Sequence, residues 1–207
     1  MTEAVVIQFA KWPETGKVKT RLIPALGAGG ACEAHVTLTA HVLTNLLASG
    51  QPVWFYWDRP LPQAPAVARP LLALMDEHPV QVGYQQGEDL GARMQAALAE
   101  GLAKHAKALV VGSDCPSVDA DYIQQALTAL AVADVVLGPS EDGGYVLIGA
   151  RRLASGMLAD IDWGTASVLT QTLERLAAAG LSATCLPPRW DVDEPEDWSR
   201  YQSELGR

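Results

Sequence analysis

Cysteine is scarce: Cys32, Cys115 and Cys185 are the only three, they are scattered, and none forms a Cys-x-x-Cys pair. An odd, dispersed set excludes a disulfide framework and a cysteine zinc site, and it fits a reducing, cytoplasmic compartment. The four histidines, His35, His41, His78 and His105, show no metal-ligand spacing. No apolar run approaches the ~18 residues that a membrane helix needs. The first apolar run already opens at Ala4, so neither a membrane span nor a leader peptide is expected. Cations are few, with 15 Lys and Arg against 24 Asp and Glu and a formal charge of -9. That balance argues against nucleic acid or an anionic membrane surface as partner, but not against a mononucleotide, which needs only a local basic pocket. Two phosphate-binding motifs are also missing. Gly16-Lys17 has no Gly five residues before it and Val18 where a P-loop has Ser or Thr. Gly27-Ala28-Gly29-Gly30 lies too far beyond the first strand to be a dinucleotide fingerprint and opens a helix instead.

What is present is a folded interior. Of 207 residues, 49% are hydrophobic, which suits one well-filled domain spanning 1–207. Apolar runs at Ala4–Phe9, Val53–Trp57, Val80–Tyr84, Ala108–Gly112, Asp134–Leu137, Tyr145–Ile148 and Ala183–Leu186 read as strands. Helical patterns fill Ala28–Ala48, Gly91–Lys107, Asp121–Ala131, Ala166–Ala179 and Glu196–Leu205. Short strands that are apolar throughout are buried on both faces, so the alternation predicts a single α/β domain with a mainly parallel central sheet and helices on both faces. The stretch Asp58–Pro70, with Pro60, Pro62, Pro65 and Pro70, reads as a surface loop of that domain rather than a hinge, because neither half has a full sheet.

The basic island Phe9–Leu22 follows the first strand and sets Lys11, Lys17, Lys19 and Arg21 against the single anion Glu14. In an extended loop the alternating cations 17, 19 and 21 point one way and suit a polyphosphate, with Arg21 able to grip two oxygens. The other reading is a solvated charged loop. Gly112-Ser113-Asp114-Cys115-Pro116 ends the strongest central strand, where α/β sheets bind ligands. There Asp114 serves a divalent cation, or else caps the next helix, which starts near Asp119 or Asp121. Cys115, with no His nearby in sequence, reads as a buried small residue rather than a nucleophile. In Ser140–Tyr145, Asp142 is the natural second carboxylate and Gly143 permits close approach of a ligand, although Asp-Gly is also an ordinary turn pair. In Gln85–Met94, Gln86 or Asp89 meets a base or sugar and Arg93 lies in the first helical turn, or Asp89 is simply the helix cap. Asp193 reads as the cap of the Pro195 helix, with Asp191 facing the crevice. Trp163-Gly164-Thr165 shapes an acceptor pocket or packs beneath a helix cap.

Taken in order, five segments resemble the glycosyltransferase-A superfamily, the nucleotide-diphospho-sugar transferase fold. They are Phe9-Ala10-Lys11-x-Pro13-x-x-Gly16-x-Val18-Lys19-Thr20-Arg21-Leu22, Asp89-Leu90-Gly91-x-Arg93-Met94, Gly112–Pro116, Asp142-Gly143-Gly144-Tyr145-x-Leu147-Ile148-Gly149 and Asp191-Val192-Asp193-x-Pro195-Glu196-Asp197. They are most similar to a family of small bacterial glycosyltransferase-like proteins formerly of unknown function, akin to molybdenum-cofactor and phospholactate guanylyltransferases. The resemblance implies that Lys19 and Arg21 hold phosphates and that Asp114 and Asp142 hold Mg²⁺ or Mn²⁺. Lys11, Gly16, Lys17, Thr20, Gln86, Asp89, Arg93, Ser113 and Gly143 are then the candidate nucleotide contacts. Glycosyltransferases of this fold show Asp-x-Asp after the central strand, whereas Ser113-Asp114-Cys115-Pro116 has one acid. That departure leans the expectation toward metal-dependent nucleotidyl transfer from an NTP to a small-molecule acceptor. Glycosyl transfer from an NDP-sugar and a nucleotide-binding protein without turnover stand as alternatives.

Overall fold

The computed structural model describes residues 3–60 and 65–205, so Pro62 and its neighbours at 61–64 lie outside the described residues. The strands are β1 Ala4–Ala10, β2 Val53–Trp57, β3 Gln81–Tyr84, β4 Lys107–Val111, β5 Val135–Pro139, β6 Tyr145–Ala150 and β7 Ala183–Cys185. The helices are α1 Ile23–Ala48, α2 Arg69–Glu77, α3 Leu90–Leu102, α4 Ala120–Ala129, α5 Val168–Ala178 and α6 Pro195–Leu205.

All seven strands join one sheet in the order β3-β2-β1-β4-β6-β5-β7. Only β6 runs antiparallel, against both β4 and β5. The alternation of side chains along each strand feeds two cores. Val6, Phe55, Leu109 and Val136 face one side with Leu43 and Leu46 of α1, Leu71 and Met75 of α2 and Ile123 of α4. Val5, Ile7, Trp54, Val110 and Leu137 face the other with Met94 and Leu98 of α3 and Leu176 of α5. A parallel sheet covered on both faces is why β1 is buried at all seven positions. Each such aliphatic side chain contributes about 1.5–3 kcal/mol by leaving water.

The expected fold class holds, with local corrections. β3 and β7 are the sheet edges and are largely exposed, so burial on both faces belongs to the inner strands only. Helix α2 has no counterpart among the expected helices. Its Pro70 lies in the first turn, where proline starts a helix rather than breaking one, and Leu71 and Met75 then fall on one face. Helix α1 begins earlier than Ala28, across a break at Gly27 (φ 71°, ψ 167°).

The chain builds β1, β2 and β3 outward on one side, then returns to place β4 on the other side of β1. That reversal leaves a crevice at the carboxyl ends of β1 and β4, the usual ligand position in open α/β sheets. Because β5 runs parallel to β4, the turn between β5 and β6 reaches the same edge. No described helix is long and apolar enough to cross a membrane.

Candidate functional site

The basic loop leaving β1 is anchored before it is functional. Trp12 is buried edge-on against Trp57 at 4.9 Å, and its backbone N–H donates to Asp58 Oδ1 at 2.8 Å. The buried His35 of α1 donates Nε2–H to the Lys11 carbonyl at 2.9 Å, and burial pushes its pKa down, toward the neutral form. A turn at Gly16 (φ +82°) then reverses the chain, and Val18 plugs into the core. Lys19 takes the left-handed conformation (φ 44°, ψ 46°) and is followed by a 3-10 turn at Thr20–Leu22.

This loop is therefore not extended, and although Lys17, Lys19 and Arg21 all line one cleft, they differ in burial and in their ion pairs. Lys17 pairs with Glu14 at 2.7 Å and stays 64% exposed. Lys19 alone turns inward, to 8% side-chain exposure, where Nζ donates to Asp114 Oδ2 at 3.0 Å and Asp193 Oδ1 at 2.7 Å. Arg21 sits at the mouth, 3.5 Å from both Asp193 Oδ2 and Glu194 Oε1 and 64% exposed.

Asp114 leaves the end of β4 and does not cap α4, because Asp119 does that by accepting from Tyr122 N–H at 2.8 Å. Its backbone carbonyl accepts from Val192 N–H at 2.9 Å, which lays the Asp191-Val192-Asp193 segment against the end of β4. Cys115 and Ser117 donate to the Trp190 carbonyl at 2.9 and 3.0 Å, so the thiol is a strut, and burial pushes its pKa up to about 12. With Val192 fully buried, the flanking Asp191 and Asp193 both turn toward Asp114. Asp193 is free to do so because Asp197 caps this turn instead, accepting from the Asp193 and Glu194 N–H groups.

The result is a cluster of three carboxylates, Asp114, Asp191 and Asp193, with one ligand oxygen from each within 4.8 Å of the others. Burial pushes Asp114 up, but the Lys19 charge and hydrogen bond outweigh it and hold the carboxyl below its ordinary range. Burial opposes the Lys19 ammonium, yet Asp114 and Asp193 together raise its pKa. Asp191 has no ion pair among the described residues, and the Lys19 charge opposes its shift only in part. Burial, then repulsion from Asp114, Asp193 and Asp142, pushes it up to about 7.

A cleft of ≈ 570 Å³ opens over this cluster, lined by Lys11, Lys17, Lys19, Thr20, Arg21, His35, Gln85, Ser113, Asp114, Gly164 and Asp193 among others. Several expected contacts lie elsewhere. Asp142 stays beside the cluster, its Oδ1 accepting from the Ser140 hydroxyl and from Gly144 N–H at 3.0 Å, and it is not one of the three clustered carboxylates. Gly143 packs its backbone against Ala166 rather than lining the cleft. Ser113 lines the cleft but ties the strands together, donating to the Phe9 carbonyl at 2.7 Å. Asp89 caps α3 through Ala92 N–H at 2.7 Å and borders a separate hollow of ≈ 410 Å³ with Gln95 and Leu158. Arg93 donates to the Gly87 carbonyl at 3.1 Å, and Gln86 is exposed outside the cleft lining, where Gln85 stands instead. Gly16 shapes the loop without lining the cleft. The residues not foreseen at the site are Asp193, His35 and Gln85. The Asp-x-Asp spacing at 191–193 was the available signal for Asp193, whereas nothing local marked His35.

Residues 51–165 match the protein family described as "Uncharacterized protein conserved in bacteria (DUF2064)". The chain belongs to this family. The matched span begins at β2, so the basic loop and Asp191–Asp193 lie outside it. A crystal structure from Desulfovibrio desulfuricans G20, carrying a provisional nucleotide-diphospho-sugar transferase name, is 31% identical. The alignment covers 97% of this chain and 87% of that one, with a TM-score of 0.84. This member thus shares the nucleotide-diphospho-sugar transferase fold. More distant structures share that fold alone. A nucleotidyl transferase from Methanothermobacter is 13% identical with a TM-score of 0.62, covering 100% of this chain and 99% of that one. A Mycobacterium tuberculosis H37Rv protein solved with manganese is 16% identical with a TM-score of 0.55, covering 97% of each chain. No curated protein matches the sequence.

Proposed function

We propose that the protein is a metal-dependent transferase acting on a nucleotide donor, with nucleotidyl transfer to a small acceptor as the favoured reaction. The observation that carries this reading is the carboxylate cluster Asp114, Asp191 and Asp193 at the β1/β4 crevice, two of whose members line one cleft with Lys19 and Arg21. The fold shared with named nucleotidyl and nucleotide-diphospho-sugar transferases supports it. The donor set is all carboxylate, half-open to solvent at Asp114 and Asp193, which suits a hard ion that keeps some of its waters. Mg²⁺ or Mn²⁺ fits such oxygen ligands, and in this reading Asp191 and Asp193 take the place first given to Asp142.

Such an ion, when bound, neutralises charge on the donor's phosphates. Lys19 and Arg21 orient those phosphates from the loop side and hold the leaving group as its charge grows. An oxygen of the acceptor forms a bond to the α-phosphorus, the bond from that phosphorus to the bridging oxygen breaks, and pyrophosphate leaves with the electron pair. A hydroxyl acceptor loses its proton to solvent; an ionised acceptor needs no base. The walls of the cleft, including buried Ser113 and His35, exclude bulk water from one side.

Glycosyl transfer is the second reading, favoured by the name of the 31%-identical relative. The test is incubation with each NTP, Mg²⁺ or Mn²⁺ and an acceptor pool, following pyrophosphate. Release that depends on the acceptor and the ion is expected. Consumption of an NDP-sugar without pyrophosphate would replace nucleotidyl by glycosyl transfer.

A further inference from the structure

The one buried cation of the cleft occupies the same carboxylates that the proposed metal site needs. Lys19 Nζ lies 3.0 Å from Asp114 Oδ2 and 2.7 Å from Asp193 Oδ1. A divalent ion among Asp114, Asp191 and Asp193 would compete for those carboxylates and repel the ammonium beside them. We propose that Lys19 is a resident counter-ion that must leave Asp114 and Asp193 when a divalent ion enters, so that ion binding and delivery of Lys19 to a polyphosphate are one coupled event. This rests on the metal-site reading above and adds an order to it.

Two further features support the displacement. Lys19 is a non-glycine residue held in the left-handed region (φ 44°), a conformation that persists only where surrounding contacts impose it. Its two ion pairs are such contacts, beside the Leu22 N–H bond to its carbonyl and the buried neighbours Val18 and Leu22. The charges point the same way. Lys19 and Arg21 offset part of the charge of the three carboxylates, with Arg21 shared between Asp193 and Glu194. A divalent ion in exchange for the ammonium leaves Lys19 without an anion, and a triphosphate supplies one. The ion alone therefore binds weakly, the ion with triphosphate binds well, and by linkage each strengthens the other.

The experiment measures Mn²⁺ affinity for the wild type, Lys19→Met, Arg21→Met and Asp114→Asn, with and without inorganic tripolyphosphate. In parallel, acylation of the Lys19 amine in the wild type is followed by mass spectrometry. Lys19→Met should bind Mn²⁺ alone about tenfold more tightly than the wild type and more tightly than Arg21→Met, within the usual range of site coupling. Tripolyphosphate should strengthen Mn²⁺ binding in the wild type and much less in Lys19→Met. Acylation of Lys19 should be slow without the ion and faster with Mn²⁺. Mn²⁺ binding that Asp114→Asn abolishes, with neither tightening in Lys19→Met beyond Arg21→Met nor any change in acylation, overturns the displacement and leaves the metal site standing. Mn²⁺ bound by none of the proteins, with or without tripolyphosphate, overturns the metal-site reading and this proposal together.

Discussion

Lys19 and Asp193 lie 174 positions apart in the chain, yet Nζ and Oδ1 are 2.7 Å apart. This contact joins the loop after the first strand to the turn before the last helix and closes one side of the cleft. It places a cation from one end of the sequence among carboxylates from the other.

Removing the central carboxylate tests the site most directly. Asp114→Asn keeps the shape and removes one ligand and one Lys19 partner. Transferase activity should fall by about 10²–10³, as for other charged groups that act at a developing transition state. Steady-state assays with thermal denaturation separate this loss from unfolding: Asp114 is part-exposed, so the fold should survive.

The pH dependence of stability isolates Asp191. Its folded pKa, about 7, lies above the unfolded value of about 3.9. A raised carboxyl contributes stability that is whole below the unfolded value and is lost as pH rises through the folded one. Asp191→Asn should therefore match the wild type below about pH 4. It should gain on it steadily toward pH 7 and keep a constant lead above that. Melting temperature measured against pH, without divalent ions, checks this. A lead of roughly 10 °C at pH 8 is the expected scale, about 4 kcal/mol at about 2–4 °C for each.

Two exposed loop cations, Lys17 and Arg21, should part company. Arg21 flanks Asp193 at the mouth, whereas Lys17 is held by Glu14. Arg21→Ala should raise the KM for the nucleotide roughly tenfold, the worth of one charge-assisted hydrogen bond of about 1.5 kcal/mol. Lys17→Ala should change it much less, and both should leave stability within about 0.5 kcal/mol. Equal effects of the two on KM would mean that the loop binds phosphate as a diffuse charge.

Gly143→Ala probes the packing behind the site. Gly143 has φ +91°, and a methyl there meets the Ala166 backbone. Strain of about 1–3 kcal/mol should lower the melting temperature by roughly 3–10 °C. Turnover of the folded fraction should change less than in Asp114→Asn, because the hydrogen bonds and packing of Gly143 go to Ser140, Leu169 and Ala166.

Much of the fold was legible because local patterns and the global fold agree. Val53–Trp57 is an unbroken apolar run and is a buried strand with those bounds. Helix α2 was hidden because prolines at 60, 62, 65 and 70 read as breakers, although Pro70 starts the helix. At the site, Asp114 was legible from its strand end. Asp142 and Asp193 look alike in sequence because both follow ordinary turn chemistry, and only spatial neighbours tell them apart. Asp142 is satisfied by Ser140 and Gly144, whereas Asp197 takes the cap and frees Asp193 for Lys19.

The amino-acid order by itself determined the strand–helix alternation, the two-faced burial of the inner strands and the basic loop at the first strand's end, because these depend on periodicity and on near neighbours. Only the tertiary structure decided which cations and carboxylates meet. Lys17, Lys19 and Arg21 are equivalent as a sequence pattern. The turn at Gly16 and the left-handed Lys19 send one of them inward, to Asp114 at the carboxyl end of β4 and to Asp193, which arrives there from the far end of the chain. Ion pairing depends on distances of a few ångströms, and across so many intervening residues those distances are set by the packing of the whole sheet.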